Sequence, residues 1–430
     1  MKNMQHSFSP DFFWGASTSS HQVEGNNLFN DWWHWENKGK LPSSGNACDH
    51  YHLYKNDFKL AKDMGHNTHR LGIEWSRVAK DEKTWNESEW THYKNVINEL
   101  IALNIKPIVT LNHFTIPVWF MNKGGWLDKN SCEYFTQFAV KSMEKLGDKV
   151  EYWITINEPN ILAILGYYFG QWPPFKHNFN DTLTVLKNML KAHALAYKMM
   201  NEFAKNNSGT LSPKIGIAKA VTAFHPCSLF SFKDRLAAHS RNIFHNHSFI
   251  KSLVKGKIFL PRIKQEKLIQ KNTIDFIGLN YYFRQFIRHK KHCTKNHFGE
   301  VGEVCSPEHH PKAGKTTDMG WEIYPAGLYE ILKELSVYKK PMIITENGLA
   351  TKDDTLRRNY IHNHLIQIRK AIKRGIPVKG YLHWSLLDNF EWAEGFSKRF
   401  GLIGVDYLTQ KRVVKDSAKY YEFLIRTRKI

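Results

Sequence analysis

Short runs of β-branched and aromatic residues recur along the chain and alternate with longer stretches of helical periodicity. The runs cover residues 12–17, 67–76, 106–113, 150–158, 214–224, 274–282, 341–348 and 378–386. Several are apolar without alternation, which is typical of strands that are covered on both faces. Apolar residues at three- and four-residue spacing indicate helices in 132–146, 182–203 and 357–373.

Eight strand–helix alternations in a chain of 430 residues predict an α/β fold, a closed (β/α)8 or TIM barrel. No linker or shift in composition divides the chain, so we expect one domain over residues 1–430. The segment 283–324 follows the sixth strand and has no clear periodicity. A stretch of this length inside a compact domain is usually functional. We therefore expect a long loop at 283–324 over the mouth of the barrel.

Composition changes this picture little, because 42% hydrophobic and 23% charged residues are ordinary for a globular protein. No apolar run is long enough for a membrane helix. The net charge of +21 is unusual and would attract anions such as nucleic acid. Because basic residues are spread along the whole chain without a nucleic-acid motif, we interpret the charge as a solvated cationic surface. We expect no nucleic-acid partner and no integral membrane association.

The five cysteines are scattered, odd in number and without C-x-x-C spacing. The N-terminal residues also lack the continuous apolar segment of a secretory signal. Reduced thiols in a cytoplasmic protein explain this pattern better than a disulfide framework.

Two glutamates follow apolar runs at the positions where a barrel carries catalytic groups, the C-terminal ends of its strands. Glu158 ends WITINE and Glu346 lies in IITENG, each beside an asparagine. A single glutamate at a strand end is most often a cap or a salt-bridge partner. Two of them on strands of one barrel favour a pair of catalytic carboxylates.

Six motifs occur in the order that the barrel requires. They are FFWGASTSSHQVEG (12–25), HRLGIEWSR (69–77), TINEP (155–159), LNYY (279–282), ITENG (344–348) and HWSLLDNFEWAEGFSKRFGL (383–402). With them the chain resembles glycoside hydrolase family 1, the retaining β-glycosidases of β-glucosidase or β-galactosidase type. The resemblance covers nearly the whole chain.

The resemblance implies that Glu158 is the general acid/base and Glu346 the nucleophile. In retaining hydrolysis the nucleophile attacks the anomeric carbon, the acid protonates the leaving oxygen, and water then opens the glycosyl-enzyme. This chemistry needs the two carboxyl groups about 5–5.5 Å apart. Arg70 and Tyr282 resemble the family's partners of the nucleophile and would keep Glu346 ionised. Burial and the neighbouring charge should raise the pKa of Glu158. Without the motifs, Arg70 would be interpreted as a barrel ion pair and Tyr282 as core.

The resemblance also implies polar contacts with a sugar. Gln22 and Glu391 match positions that bind the hydroxyls on carbons 3, 4 and 6. His113 and Trp392 match positions that contact the 3-hydroxyl. Asn157 matches the residue bonded to the 2-hydroxyl, an interaction that strengthens in the transition state.

Three aromatic residues complete the implied site. Trp384 resembles the platform under the sugar ring, Phe400 an aromatic wall, and Trp321 the lining of the leaving-group site. Taken singly, each tryptophan is more often a core residue, and a helix-start packing role is an open alternative for Trp321.

The chain departs from common family patterns on the leaving-group side. Phe114 follows His113 where many relatives have tryptophan, and 214–224 contains no asparagine. Relatives that cleave 6-phosphorylated sugars usually have serine in place of Glu391. The glutamate here would repel a phosphate, although Lys398 and Arg399 are near in sequence.

The segment 289–310 holds five histidines and two cysteines, which are ligands that zinc favours. Structural zinc sites usually have tighter paired spacing, so we interpret the segment as a polar loop and expect no cofactor and no catalytic metal.

The expected activity is hydrolysis of terminal non-reducing β-D-glucosyl residues in a small β-glycoside or oligosaccharide. Galactosyl and fucosyl substrates stay open, because the family's Gln/Glu pair tolerates either orientation of the 4-hydroxyl. Transglycosylation on the same site is an alternative that sequence does not separate from hydrolysis. A catalytically silent sugar-binding protein is the other alternative, and retention of both carboxylates argues against it.

Overall fold

The computed structural model describes residues 8–289, 303–307, 310 and 313–430. Its strands are β1 (Phe13–Ser17), β2 (Thr68–Gly72), β3 (Lys106–Asn112), β4 (Tyr152–Asn157), β5 (Lys214–Pro226), β6 (Phe276–Arg288), β7 (Glu303–Cys305), β8 (Met342–Asn347), β9 (Val378–Trp384), β10 (Ile403–Val405) and β11 (Arg412–Val414). Parallel neighbours run in the order β5-β4-β3-β2-β1-β9-β8-β6, and β6 pairs back with β5. The sheet therefore closes into an eight-stranded parallel barrel, which confirms the predicted fold class.

Helices connect the strands around the outside. Those of the described ranges are α1 (Ser20–Val23), α2 (Asp31–Glu36), α3 (His50–Asp63), α4 (Trp75–Val78), α5 (Glu87–Ala102), α6 (Val118–Asn122), α7 (Ser131–Leu146), α8 (Pro159–Ala163), α9 (Phe179–Asn206), α10 (Phe232–Asn242), α11 (Ser248–Lys255), α12 (Pro325–Leu335), α13 (Asp354–Lys373) and α14 (Asp416–Thr427). Asn86, Asn178 and Asp353 cap α5, α9 and α13, because their side-chain oxygens accept amide hydrogens of the first turn. Among the described residues, no helix combines the length and the apolar character that crossing a bilayer demands.

Two clusters of buried apolar side chains stabilise the barrel. Six barrel strands each contribute one residue to a buried cluster, namely Ile108, Ile154, Ala218, Phe276, Ile343 and Leu382. A second, larger cluster joins strand residues such as Ile156 and Leu279 to helix residues such as Phe138 and Leu190. Because the strands are covered on both faces, their sequences are apolar without alternation.

The sixth strand is longer than the sequence predicted. The expected loop began at residue 283, but β6 continues to Arg288, and β7 returns antiparallel to it. The prediction of a loop from 283 was wrong here, because the extended end of β5 supplies the hydrogen-bonding partner for residues 284–287. Residues 290–302, 308–309 and 311–312 of that segment lie outside the described residues.

Candidate active site

The two glutamates lie at the C-terminal ends of barrel strands and are buried, with Glu158 8% and Glu346 3% exposed. Glu346 belongs to β8 and pairs in register with Asn280 of β6. Glu158 directly follows β4 and has a φ of 46°, in the left-handed region. Its amide donates to the Ala218 carbonyl on β5 over 2.7 Å. This turn ends the strand and directs the chain into α8.

Glu346 is held by a cation and a hydroxyl. The guanidinium of Arg70 donates to Oε1 in a short ion pair, and the Tyr282 hydroxyl donates to Oε2 over 2.6 Å. Arg70 is completely buried and also donates to Thr110 Oγ1 over 2.9 Å and to Asn157 Oδ1 over 2.7 Å. Burial raises the pKa of Glu346, and Arg70 and Tyr282 oppose that rise.

Glu158 has no such ion pair among the described residues. Its Oε1 accepts a hydrogen bond of 2.8 Å from the amide of Asn280. Burial, and then the negative charge of Glu346, raise the pKa of Glu158. Because a bonded cation is found beside Glu346 and not beside Glu158 among the described residues, these surroundings favour the charged form of Glu346 and the neutral form of Glu158.

Two polar residues beside this pair were not predicted from the sequence. Asn280 lies in the LNYY motif and donates to both Glu158 and Asn157, the latter over 3.0 Å. Lys219 is completely buried on β5, donates to its neighbour's carbonyl over 2.8 Å, and opposes the rise in the pKa of Glu158. The sequence signal that could have indicated Lys219 as a site residue is the presence of a lysine inside the apolar run 214–224.

The predicted sugar-binding residues converge on the same mouth. Gln22 donates to Glu391 Oε2 over 3.3 Å, while its own Oε1 has no hydrogen-bond partner in the described residues. Burial, and then the charge of Glu346, raise the pKa of Glu391 to about 8. The amide of Asn157 lies 3.1 Å from His113 Nε2. Burial, and then Arg70, hold the pKa of His113 well below its usual value, so this imidazole is neutral.

Aromatic rings enclose the polar groups. His113 stacks near Trp384 and Trp392, with ring centroids 5.8 and 6.0 Å apart. Trp384 and Phe400 share a buried cluster against which Tyr282 and Trp321 pack. The Trp321 ring is 5.4 Å from that of Tyr282 and 6.3 Å from that of Phe400. Every residue predicted for the site from the sequence thus lies in one connected set.

A parallel barrel whose mouth carries two buried carboxylates, an unpartnered amide oxygen and indole rings has the architecture of a glycoside hydrolase. The profile of glycosyl hydrolase family 1 matches residues 4–430. The chain is 34% identical to the 1,4-beta-D-glucan glucohydrolase of Thermotoga neapolitana, over 97% of this chain and 98% of that protein.

Solved structures agree with this match. The beta-glycosidase from Pyrococcus horikoshii superposes with a TM-score of 0.92 at 39% identity, covering 99% of this chain and 96% of the other. The beta-glucosidase from Thermotoga maritima in complex with glucoimidazole gives 0.89 at 32% identity, covering 99% and 100%. The chain therefore belongs to glycosyl hydrolase family 1. The resemblance found in the sequence is confirmed, and the protein is a β-glycosidase that hydrolyses O-glycosidic bonds.

Proposed function

We propose that the protein releases terminal non-reducing β-D-glucosyl residues by a retaining double displacement. The carboxylate of Glu346 forms a bond to the anomeric carbon, while Glu158 gives its proton to the departing oxygen as the glycosidic bond breaks. Glu158, now ionised, removes a proton from water, and the water oxygen replaces Glu346 at the anomeric carbon. The proton returns to Glu158 and the carboxylate to Glu346, so the cycle closes.

The unequal surroundings of the two glutamates carry this proposal. A nucleophile must be ionised, and the Arg70 ion pair and the Tyr282 hydroxyl favour the charged form of Glu346. A general acid must hold a proton, and burial beside a carboxylate favours the neutral form of Glu158. These unequal environments support the proposal that Glu346 is the nucleophile and Glu158 the general acid/base.

Asn280 supports the close spacing that retention requires. Its amide donates to Glu158 and also acts to lower the pKa of Glu346. One side-chain amide thus lies beside both carboxyl groups. An inverting enzyme would instead separate them by about 6.5–9.5 Å to admit a water molecule.

The contacts around Glu391 support an unphosphorylated sugar. This half-buried carboxyl group, whose pKa is raised by burial, can hydrogen-bond to a sugar hydroxyl but offers no positive charge to a phosphate at the 6-position. Lys398 is turned elsewhere, donating to the Asp318 carbonyl over 2.8 Å. Arg399 donates to the Val405 carbonyl over 3.0 Å. The Gln22 oxygen without a partner is the acceptor that we assign to a sugar hydroxyl, and both glucosides and galactosides are expected to bind.

We also propose that Trp321 contacts the leaving group, because it lies beside Tyr282 and remains partly exposed.

A cytoplasmic location is part of the proposal, since the four described cysteines form no disulfide.

Trapping of the intermediate tests the mechanism. An activated 2-deoxy-2-fluoro-β-glucoside should label the protein once, and peptide mapping should locate the sugar on Glu346. Glu346→Gln should abolish labelling and turnover. Glu158→Gln should lose turnover by several orders of magnitude on substrates with poor leaving groups and much less on those with good ones. Glu24→Gln is a matched control, because Glu24 is also a buried glutamate with a raised pKa but is paired with Arg77.

The initial anomer released decides the stereochemistry. A β-anomer seen first by NMR agrees with retention, whereas an α-anomer, or a label on any residue other than Glu346, would refute the assignment. Product analysis with an added alcohol measures the share of transglycosylation.

A further inference from the structure

Two thiols and an imidazole meet at the extended ends of β5, β6 and β7, outside the set of residues that forms the active site. Cys305 Sγ lies 3.0 Å from Cys227 Sγ, and His310 Nε2 lies 3.5 Å from the same sulfur. All three ligand atoms are within 4.8 Å of one another. Cys305 and His310 lie in the segment 289–310 that was weighed as a zinc site from the sequence, whereas Cys227 comes from a distant part of the chain and was not grouped with them.

The sheet fixes the two cysteines. Cys227 directly follows β5, and its amide donates to the Ile287 carbonyl on β6 over 2.8 Å. Cys305 lies on β7 opposite Phe286 of β6. Both thiols thus flank the same short stretch of β6. The backbone positions of the two cysteines are therefore fixed by the sheet, and rotation of the short thiol side chains adjusts the distance between the sulfurs.

The imidazole is positioned as well. The His310 ring stacks on Phe286 with centroids 3.7 Å apart and an angle of 12° between the rings. Stacking leaves the ring nitrogens at the edge, and Nε2 points toward Cys227. Cys305 and His310 are separated by four residues, a spacing within the range of zinc ligand pairs.

We propose that Cys227, Cys305 and His310 bind a zinc ion that fastens β7 to the end of β5. Two thiolates and one imidazole form a ligand set that binds zinc in preference to magnesium or calcium. The thiols release two protons on binding, and the two thiolates balance the charge of the ion. A water molecule completes the tetrahedron.

The adjustment needed is small. Tetrahedral bonds of about 2.3 Å to sulfur place two thiolates roughly 3.8 Å apart, so the sulfurs have to separate slightly from their 3.0 Å contact. Arg288 donates to Cys227 Sγ over 3.5 Å, and its exposed side chain can turn into solvent when the ion enters.

The site is tested on the full chain, kept reduced throughout. Protein incubated with zinc and then desalted should hold one ion per chain by elemental analysis. Cobalt in its place should give the thiolate-to-metal charge-transfer band of cysteine coordination. Cys227→Ser and Cys305→Ser should each weaken zinc binding by at least about tenfold, since even outer-shell changes cost metal sites that much. His310→Cys should keep the ion, whereas His310→Ala should weaken its binding.

Controls separate loss of ligands from loss of fold. Cys132→Ser removes a buried thiol on α7 and should leave zinc binding unchanged. Each variant is also assayed on an aryl β-glucoside, because the cluster makes no described contact with Glu158 or Glu346 and its loss should leave turnover near normal. Zinc should raise the unfolding temperature of the unaltered chain, and magnesium should not.

Three outcomes would overturn the proposal. One is zinc binding by the Cys227→Ser, Cys305→Ser double variant that equals that of the unaltered chain. Another is loss of binding in Cys132→Ser to the same extent. The third is a Cys227–Cys305 disulfide that forms in air while the reduced chain takes up no zinc, which would make the pair a redox couple instead.

Discussion

The hydroxyl of Tyr282 donates to Glu346 Oε2 over 2.6 Å, and the Tyr282→Phe variant removes that hydrogen bond while keeping the ring. A hydrogen bond to a charged group contributes about 1.5–3 kcal/mol. Because one pKa unit corresponds to about 1.36 kcal/mol, losing the bond should raise the pKa at which Glu346 becomes ionised by roughly 1–2 units.

The two glutamates titrate as a pair, so the expected effect is on the limbs of the pH–rate profile. The acid limb reports the first ionisation, in which Glu346 loses its proton. The basic limb reports the second, in which Glu158 does. Glu346 is charged before and after the second step. The free energy of its hydrogen bond to Tyr282 is therefore the same in both states and does not affect the pKa of that step. Only the acid limb should therefore move, and it should move to higher pH.

The measurement is kcat/KM for an aryl β-glucoside across pH. At pH values below the acid limb, kcat/KM of Tyr282→Phe should be about 10- to 100-fold lower than that of the unaltered enzyme. On the plateau of the profile the loss in kcat/KM should be smaller. Tyr281→Phe is the matched control, because this adjacent hydroxyl donates over an equal 2.6 Å to the Tyr324 carbonyl. An unmoved acid limb, or an equal movement in the control, would refute the idea that the hydroxyl keeps the nucleophile ionised.

Three further changes test other parts of the structure. Asn280→Asp replaces the amide that lies beside both carboxyl groups by a carboxyl group, which should raise the pKa of Glu158 and of Glu346 and move both limbs of the profile to higher pH. Gln22→Leu removes the oxygen assigned to a sugar hydroxyl and should lower kcat/KM roughly 5- to 150-fold, from about 1–3 kcal/mol for a buried hydrogen bond. Asp57→Ala leaves the buried Arg412 without its carboxylate and should reduce the free energy of unfolding in urea by about 3–5 kcal/mol.

Gln22→Leu and Asp57→Ala each have a control. Gln22→Leu should lower kcat/KM less for a 4-deoxy or 3-deoxy glycoside than for the intact sugar. An equal loss in kcat/KM would contradict a direct contact between Gln22 and a sugar hydroxyl. Lys419→Ala breaks an exposed pair and should leave unfolding unchanged. Burial alone would raise the pKa of Asp57, but hydrogen bonds from His50 and Arg412 hold it below its usual value. Its contribution is therefore present at neutral pH and lost as pH falls through that lowered pKa, so the Asp57→Ala deficit should shrink in acid.

Local pattern was enough for the barrel and for the position of the two glutamates at strand ends. Apolar runs without alternation occur because barrel strands are buried on both faces, and the structure has eight of them closed into a ring. Strand ends at Glu158 and Glu346 could be located because polar residues interrupt those runs abruptly. The motifs around them then identified the family, which the comparisons confirmed.

Partners distant along the chain could not be deduced in this way. The end of β6 was placed too early because residues 284–287 owe their extended form to pairing with β5, and no local pattern records that neighbour. Asn280 looked like part of a motif until register brought it beside Glu158. Lys219 is visible as a charge in an apolar run, yet only burial beside the carboxylates gives it an electrostatic effect.

The sequence by itself determined the eight strands, the two carboxylates and their surrounding motifs, because strand burial and strand ends leave periodic and local marks. Tertiary structure alone decided that the two carboxylates have unequal surroundings. That depends on Arg70 and Tyr282 reaching Glu346 across the barrel while Glu158 has only an amide. It also decided that Cys227 meets Cys305 and His310, since closure of the sheet brings together residues that are 78 and 83 positions apart.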